Sequence, residues 1–347
     1  RFRVMSDLKI NNITDRTGGS GPVIAGVSTV STTGSFVVPV GPTEMRGGRG
    51  RGLFAGAAPS NSSINKIEIA TTGNAVEFGT LTRSKQAASA TASSTRGVIF
   101  GGYVSPGYYT DIDYITISSS GGASDFGDLS SARGWSAACG DNIKGIVGGS
   151  WPGPAAIDYV NIATSGDSSK FGELVVRPDG QDGVQVGYEI TGACSSPTRG
   201  VWGGGAFGEP ATTAVNLIQF ISIQSGGNSV KFGELNNLSY GTSASSNSTR
   251  GIFYGGRTPS IHDTIDFITI ATEGNATDFG NLTANRRDTA ACASSTRGIV
   301  AGGRTPSFTN IIEYVTIAST GNSVDFGDTT SARAQMAGCS DVHGGLG

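Results

Sequence analysis

The sequence predicts an all-β fold in which six similar modules of four strands close into a ring, a six-bladed β-propeller. A Phe-Gly phrase recurs six times, and short alternating segments separated by glycine turns fill each interval. Four short strands in about 47 residues are typical of a propeller blade. No segment keeps an apolar period of 3.6 residues, so we expect almost no helix. The phenylalanines, which lie 48, 45, 61, 47 and 47 residues apart, are Phe78, Phe126, Phe171, Phe232, Phe279 and Phe326.

Each copy contains four segments with the patterns of strands, which we name A to D in chain order. In the last full copy, segment A is a run of small residues at 289–293, and segment B is an apolar run ending in a glycine pair at 299–303. Segment C alternates at 312–317, and segment D carries the Phe-Gly phrase at 324–327. Alternation with period two, rich in Ile, Tyr and Thr, favours strands. Because small side chains let six strands meet at an axis, we expect A to be innermost.

The two ends of the repeat region predict how the ring closes. The first copy begins with a B segment at 51–56, and the sixth continues into an additional A segment at 334–340. We expect this C-terminal strand to complete the first blade, because that pairing leaves no free sheet edge. The propeller then spans residues 46–347, and the C segment of the first copy is placed at 67–69.

These repeats resemble the kelch family. The resemblance rests on a glycine doublet after strand B, an aromatic residue in strand D and an aromatic residue in strand C. The strand C aromatics are Tyr114, Tyr159, Phe220, Phe267 and Tyr314. The sequence departs from kelch repeats in having Phe-Gly where they usually have Trp, and Ile69 where the first copy would have the strand C aromatic. The resemblance implies a kelch-like propeller that serves as a protein-binding platform. A few kelch propellers are copper oxidases, and their His, Tyr and Cys ligands cannot be placed in this sequence.

Residues 1–45 lack the repeat and predict a separate, extended N-terminal β arm. Short strand patterns at 8–10, 23–27 and 35–38 alternate with Gly, Thr and Ser turns. They are too few to bury a core of their own. We therefore expect an attachment or oligomerisation arm that packs on another protein or on further copies of the chain.

Two parts of the sequence resemble structural proteins of tailed phages of marine and cyanobacterial hosts. One is the opening, at 6–18 and 21–29, and the other comprises the repeat phrases ITIATEGNATDFGNL at 268–282 and SARA at 331–334. The resemblance implies a virion component, such as a tail fibre, a spike or a capsid decoration, assembled in the host cytoplasm. The implied partners are other virion proteins, contacted through residues 1–45, and a glycan or protein of the host surface. We also expect a homo-oligomer.

The composition argues against two other classes of partner. The chain has 24 Lys+Arg against 27 Asp+Glu, a net charge of −3, whereas nucleic-acid-binding proteins normally carry a basic stripe. No apolar run approaches the ~20 residues of a membrane span, and no N-terminal segment has the order of a signal peptide. We therefore expect no nucleic acid partner and no membrane span.

Residues that could carry catalysis recur at repeat positions, which favours structural roles. The letters DFG, at 125–127, 278–280 and 325–327, match the magnesium motif of kinases, but the other kinase motifs are missing. His262 and His343 are too few for a metal site, and we expect His262 in a solvent-facing loop after strand B. We expect no catalytic residue, no metal and no cofactor.

The cysteines also follow the repeat. They have no CxxC spacing, and each falls at one position of segment A, although Cys194 fits only if the third copy carries an insertion. Equivalent positions on different blades seldom approach as closely as a disulfide needs. We expect reduced, buried core residues at Cys139, Cys194, Cys292 and Cys339.

Carboxylates recur in strand C of five copies. They are Glu68, Asp113, Asp158, Asp266 and Glu313. Paired acids of this kind could serve glycoside hydrolysis, but recurrence at one site in five copies favours structure. We expect them to bind backbone groups or the repeat cations, which are Arg96, Lys144, Arg199, Arg250 and Arg297.

The variable loops predict where a ligand binds. Antiparallel strands place the B–C and D–A connections on one face of the disk, and the long insert at 177–190 is a D–A connection. Insertions on one face usually mark the binding face of a repeat protein, and aromatic side chains on proline-stiffened loops suit sugar rings or a protein partner. The alternative is that these side chains only cover the ends of the blades. The candidate ligand-binding residues are Tyr103, Tyr108, Tyr109, Trp151, Phe207, Phe308 and Tyr188.

We therefore expect a non-enzymatic phage structural protein whose arm attaches to the particle and whose propeller face adheres to the host. One alternative is a cement or scaffold protein of the capsid or tail without a host ligand. The other is a propeller carbohydrate-active enzyme, which the missing acid pair disfavours.

Overall fold

The structure, a computed structural model, describes residues 50–151, 155–175, 188–189, 192–207 and 213–346. This part of the chain contains no α-helix, only a 3-10 turn at Gly344–Leu346, and none of its helical structure has the length and hydrophobicity of a transmembrane segment. The strands, in chain order, are β1 (Arg51–Ala57), β2 (Asn61–Glu68), β3 (Val76–Lys85), β4 (Ser89–Ala92), β5 (Arg96–Phe100), β6 (Tyr103–Val104), β7 (Gly107–Tyr108), β8 (Asp111–Thr116), β9 (Ser124–Asp128), β10 (Ala137–Gly140), β11 (Lys144–Gly148), β12 (Ala156–Asn161), β13 (Ser169–Glu173), β14 (Tyr188–Glu189), β15 (Gly192–Ser195), β16 (Arg199–Gly203), β17 (Ala206–Phe207), β18 (Thr213–Ala214), β19 (Leu217–Ser222), β20 (Val230–Glu234), β21 (Ser243–Ser246), β22 (Arg250–Arg257), β23 (Ile261–Thr269), β24 (Thr277–Asn281), β25 (Ala290–Ala293), β26 (Arg297–Ala301), β27 (Arg304–Thr305), β28 (Ser307–Phe308), β29 (Ile311–Thr316), β30 (Val324–Asp328) and β31 (Ala337–Ser340).

Six four-stranded antiparallel sheets, blades 1 to 6, make up the propeller, as the sequence predicts. Their orders, from strand A to strand D, are β31-β1-β2-β3, β4-β5-β8-β9, β10-β11-β12-β13, β15-β16-β19-β20, β21-β22-β23-β24 and β25-β26-β29-β30. The A strand of each blade contacts the A strands of both neighbouring blades. The small-residue strands therefore surround the axis, which confirms that A is innermost.

The C-terminal strand closes the ring, as predicted. β31 pairs with β1, from Gly52 opposite Ser340 to Ala55 opposite Ala337. Short additional hairpins, β6-β7 and β27-β28, extend the B–C connections of blades 2 and 6, and β14, β17 and β18 form a small sheet beside blade 4. The predicted arm at residues 1–45 lies outside the described residues.

Contact between neighbouring blades explains the Phe-Gly phrase. The glycine of each D strand lies against the C–D turn of the following blade, and a Cβ at that glycine would overlap the backbone of the turn. At the first interface the N–H of Gly121 donates to the carbonyl oxygen of Phe78 at 3.0 Å. An equivalent bond occurs at all six interfaces, including the one from Gly73 to Phe326 that joins blade 1 to blade 6. The phrase is thus part of the seam that holds the ring together.

The repeat cations at the start of strand B also join blades, so the prediction that they are the partners of the strand C carboxylates is wrong for Arg96, Lys144, Arg199, Arg250 and Arg297. The predicted backbone partners are found in three blades, where N–H groups donate to Asp158, Asp266 and Glu313. Arg51, which was outside the predicted set, lies 3.4 Å from Glu68. Arg96 stacks on Tyr114 at 4.6 Å and donates to the carbonyl oxygens of Ile162 and Ala163 in the next blade. Each cation of this set bonds to a carbonyl of the following blade, and the set is Arg51, Arg96, Lys144, Arg199, Arg250 and Arg297. The guanidinium charge of Arg96 is thus stabilised by the face of Tyr114 and by two carbonyl oxygens, without a carboxylate.

Three of the strand C carboxylates pair instead with cations of the D–A connection that enters their own blade. These buried pairs are Lys85–Asp113 (3.0 Å), Arg133–Asp158 (2.8 Å) and Arg286–Glu313 (2.6 Å). In blade 5, Asp266 accepts hydrogen bonds from the backbone and side chain of Asn236. Each carboxylate therefore ties strand C to the connection between blades, which is a structural role.

The register of blade 1 corrects two further predictions. β2 places Lys66 opposite the B-strand position that faces an aromatic residue in blade 2. Lys66, not Ile69, therefore takes the aromatic position, and its neighbour Asn65, not Glu68, takes the carboxylate position. Glu68 lies near the exposed end of the strand, with its side chain 45% exposed. The C strand of the first copy starts earlier than its alternating pattern indicates.

The cysteine prediction is confirmed. All four are free and buried, and each lies in strand A of a different blade. Their side chains face a glycine of strand B in the next blade, and the pairs are Cys139–Gly200, Cys194–Gly251, Cys292–Gly52 and Cys339–Gly97. Burial raises the pKa of all four thiols, so they are inert core residues.

Candidate ligand-binding site

The B–C and D–A connections lie side by side on one face of the propeller, as predicted. Backbone bridges join them in several blades, for example between Gln86 and Tyr103 and between Arg287 and Arg304. In these blades the face therefore presents two adjoining loops per blade.

On this face, four backbone hydrogen bonds link five of the six blades around the axis, and the corresponding position of blade 4 lies outside the described residues. The N–H of Trp135 donates to Ala87 (2.9 Å), Ala87 to Gln335 (3.0 Å), Gln335 to Asp288 (2.8 Å) and Asp288 to Gly241 (2.7 Å). Each residue precedes the A strand of its blade and has a positive φ between 48° and 68°. Left-handed backbone is uncommon for residues other than glycine. The hydrogen bonds between neighbouring blades therefore hold these residues in that conformation. We name these five positions, Ala87, Trp135, Gly241, Asp288 and Gln335, the mouth.

A cavity of about 70 Å³ lies inside the mouth. Trp135, Asp288, Gln335 and Met336 line it, together with the Ala, Ser and Thr side chains that begin the A strands. Since one water molecule needs about 10–15 Å³ of such space, the cavity accepts a few waters or one small substituent. A larger ligand would therefore lie across the mouth and place only a small group in the cavity.

The opposite end of the axis is covered by the C-terminal turn. Gly344 and Gly345 lie against the backbone of neighbouring A strands, including that of Gly140. His343 donates from Nε2 to the carbonyl oxygen of Ala92 at 2.6 Å and accepts at Nδ1 from the N–H of Gly345 at 3.1 Å. Burial lowers the pKa of His343, which favours this neutral form. The mouth is therefore the more accessible end.

An aromatic cluster stands beside the mouth. The ring centres of Tyr103 and Tyr108 lie 4.9 Å apart, and both rings lie within 6.1 Å of the ring of Trp135. The tyrosines occupy the β6-β7 hairpin, and Gly134 lets them pack closely on the D–A connection because a Cβ there would already touch Tyr108 at 3.3 Å. We name Tyr103, Tyr108 and Trp135 the aromatic platform.

The other predicted ligand-binding residues are spread over the face. Tyr109 lies under the guanidinium of Arg83 at 4.5 Å. Trp151 pairs through its backbone with Gly134, next to the platform. Phe207 belongs to the small sheet beside blade 4, and Phe308 lies on the β27-β28 hairpin of blade 6, 38% exposed.

Two further aromatic residues belong to D–A connections, Tyr188 inside the predicted insert and Trp135 outside it. Tyr188 forms part of β14, but its side chain lies outside the described residues, so its predicted role stays a prediction. Trp135 was missed from the sequence, because the other copies carry non-aromatic residues at that position. The signal that could have found it is its place directly before an A strand.

Charged groups occupy the blade 6 side of the mouth. The carboxylate of Asp288, 2% exposed, lies 2.5 Å from Nη2 of Arg304 and 3.2 Å from Nη1 of Arg287. The charges of Asp288, Arg287 and Arg304 all act on the carboxyl group of Glu189. Burial, aided by the negative charge of Asp288 and opposed by the two arginines, raises the pKa of Glu189 to about 7. This side of the mouth is therefore polar, whereas the platform is aromatic.

The histidines contribute to structure. His262 lies in β23 rather than in a solvent-facing loop, half-buried, with Nε2 3.0 Å from the hydroxyl of Ser239. The prediction of a loop position is wrong because β22 and β23 extend beyond the glycine pair of blade 5. Burial lowers the pKa of His262. Among the residues that the structure describes, no group of three or more His, Cys, Asp or Glu side chains could hold a metal ion.

No family model matches the chain, and no curated protein matches it. The six-bladed β-propeller and the geometry of the mouth are therefore what the function has to be argued from.

Proposed function

We propose that the protein is a non-enzymatic virion structural protein of a tailed phage, and that its propeller binds a glycan of the host surface across the mouth. The observation that carries the binding role is the aromatic platform. Three aromatic side chains converge beside a cavity on the face where both sets of variable loops lie.

The chemistry of the platform suits a sugar. Tyr and Trp present flat apolar faces together with a polar edge that can hydrogen-bond, and they lose little conformational entropy when they bind. Tyr103, Tyr108 and Trp135 are half-buried, so their neighbours already hold them in place. A sugar ring stacked on the platform could place one substituent in the cavity of the mouth.

The virion role rests on the resemblance of residues 6–18 and 21–29 and of the repeat phrases to phage structural proteins. In this proposal the arm attaches the chain to the particle, together with other virion proteins or further copies of the chain. A chain that lacks residues 1–45 is expected to fold and to be absent from purified particles. Immunogold labelling of particles that carry the full chain checks the location, and unlabelled particles would contradict it.

The binding role is tested with Trp135→Ala and Tyr108→Ala in the full chain. Alanine fits at position 135 because Ala87 has the same backbone conformation in blade 2. Each change removes a stacking contact of about 1 kcal/mol, so adsorption of particles to host cells should weaken several-fold. The matched control is Ile143→Ala, which removes an exposed apolar side chain from the opposite face.

The outcomes separate this proposal from a cement role. Weaker adsorption with intact particles supports adhesion. Unchanged adsorption with particles that fall apart on heating would instead assign the face to contacts between virion subunits.

A further inference from the structure

Two polar atoms at the mouth are buried with unused hydrogen-bonding capacity. Nε of Arg287 and Oε1 of Gln335 have no hydrogen-bond partner among the described residues. Buried polar groups in proteins are nearly always bonded, so an unpaired donor and an unpaired acceptor at one mouth need an explanation. Water or a ligand that offers both an acceptor and a hydroxyl donor would supply it.

The arginines are held in position without the ligand. Asp288 takes Nε and Nη2 of Arg304, at 2.6 and 2.5 Å, and Nη1 of Arg287. The one negative charge of Asp288 pairs with two guanidinium groups. The N–H donors of Arg287 and Arg304 therefore outnumber the oxygen acceptors of Asp288 in this part of the mouth. Arginine presents several donors in a fixed fork, which suits carboxylates.

The aromatic and the charged parts belong to one site. Trp135 precedes the A strand of blade 3 and Asp288 that of blade 6, so the two lie on opposite sides of a six-membered ring. Both line the cavity of the mouth. Gln335 belongs to blade 1, next to blade 6, so its free carbonyl oxygen lies on the same side as the arginines.

We infer that Arg287, Arg304 and Gln335 form a carboxylate-binding subsite, and that the ligand of the mouth is an acidic glycan. The sugar ring stacks on the aromatic platform, its carboxylate takes the N–H groups of the arginines, and a hydroxyl donates to Gln335. This inference deepens the proposed function and rests on it. Neutral hydroxyl groups can bond to the two unpaired atoms, but only a carboxylate also supplies a negative charge to Arg287 and Arg304, which share the single carboxylate of Asp288.

Glu189 is consistent with this subsite. It is a carboxylate of the chain itself that lies within the electrostatic reach of Arg287 and Arg304. Burial and the charge of Asp288 raise its pKa, so near neutral pH it offers only part of a negative charge to the arginines. The subsite therefore retains its preference for an external anion.

The experiment measures binding of glucuronate, N-acetylneuraminate and glucose to the full chain, by following the indole N–H of Trp135 in ¹H–¹⁵N spectra during titration. A carboxylated sugar should bind about tenfold or more tightly than glucose, since a hydrogen bond to a charged group contributes that much. Arg287→Gln should remove this preference while the response to glucose stays. Lys231→Gln on the outer edge of blade 4, 52% exposed, makes the same change in net charge and should have no effect.

Each result decides. Equal binding of acidic and neutral sugars with a clear Trp135 response overturns the carboxylate subsite and leaves the glycan-binding face standing. A preference for acidic sugars that survives in Arg287→Gln also overturns the subsite. No Trp135 response to any of the three sugars counts against both the subsite and the proposed glycan-binding function. Melting temperatures of both variants confirm that the comparison is between folded proteins.

Discussion

Replacing Gly79 by alanine tests whether contact between blades is the reason for the Phe-Gly phrase. Gly79 does not have a positive φ, so its backbone accepts alanine. A Cβ at this position would nevertheless lie closer than 3.0 Å to the carbonyl group of Gly121 in blade 2. Because the obstacle is backbone, the turn of blade 2 has to move away by about 1 Å or more.

The size of the effect follows from the bonds that this movement breaks. The N–H of Gly121 loses Phe78 (3.0 Å), and that of Ala123 loses Thr80 (2.7 Å). Two backbone bonds at about 1 kcal/mol each, about 1 kcal/mol of remaining overpacking and about 0.5 kcal/mol regained from the stiffer unfolded chain give a loss of about 2–3 kcal/mol. For a ring of about 300 residues this corresponds to roughly 4 °C in Tm.

Gly122→Ala is the matched control, because it lies in the same turn and its nearest neighbour to a Cβ is 3.5 Å away. Urea unfolding followed by circular dichroism should show a lower midpoint for Gly79→Ala, with an unchanged slope, and no comparable loss for Gly122→Ala. Equal stability of the two variants would refute the idea that blade contact dictates this glycine.

Three further changes probe the core and the face. Arg133→Met leaves the carboxylate of Asp158 buried without its cation and should lower the free energy of unfolding in urea by about 3–5 kcal/mol. Adding Asp158→Asn should recover part of this loss, and simple additivity of the two changes would argue against the pair. The four cysteines should not react with a thiol reagent at pH 8 until urea unfolds the chain, because burial raises the pKa of their thiols. The pKa reaches about 12 for Cys194 and Cys339. Rapid labelling of the folded protein would contradict this prediction. Burial raises the pKa of Glu189 from 4.5 to about 7, so the folded state keeps a proton that the unfolded chain loses, and stability from this group falls as the pH rises from about 4.5 through 7. Tm measured at pH 5 and pH 8 should fall less in Glu189→Gln, and equal falls would show that this carboxyl is not responsible.

The architecture could be predicted because the repeat exposes it. The Phe-Gly spacing gave the number of blades, the alternating segments gave the strands, and the unmatched A segment at the C-terminus gave the closure, all of which the structure confirms. Each of these features depends on local pattern or on counting. The cysteine prediction succeeded for the same reason, since small residues at one repeat position must all meet the same neighbours.

Side-chain partners could not be predicted in the same way. The cations at the start of strand B and those in the D–A connection recur at similar intervals, so the sequence offered two sets for one set of carboxylates. Only the twist of the blades decides that Arg133 meets Asp158, whereas Arg96 reaches a carbonyl of the next blade. In blade 1 an isoleucine stands directly before both Asn65 and Glu68, so either residue fits the carboxylate position of the sequence pattern. Glu68 was therefore mistaken for it.

The positions that are alike among the copies and those that differ lie in different parts of the propeller. Closure requires six similar seams, so the Phe-Gly phrase and the blade-joining cations repeat with little variation. At the mouth the side chains can differ from blade to blade, because the backbone is held by N–H and C=O hydrogen bonds that do not depend on the side chain. In the described blades, one backbone position thus presents four different side chains, those of Ala87, Trp135, Asp288 and Gln335, and one glycine, Gly241. The repeated scaffold thus has an asymmetric face, with an aromatic side opposite a charged one, and the proposed function assigns ligand binding to this face. Substitutions at the mouth should therefore change what the propeller binds, and substitutions at the seams should change whether it folds.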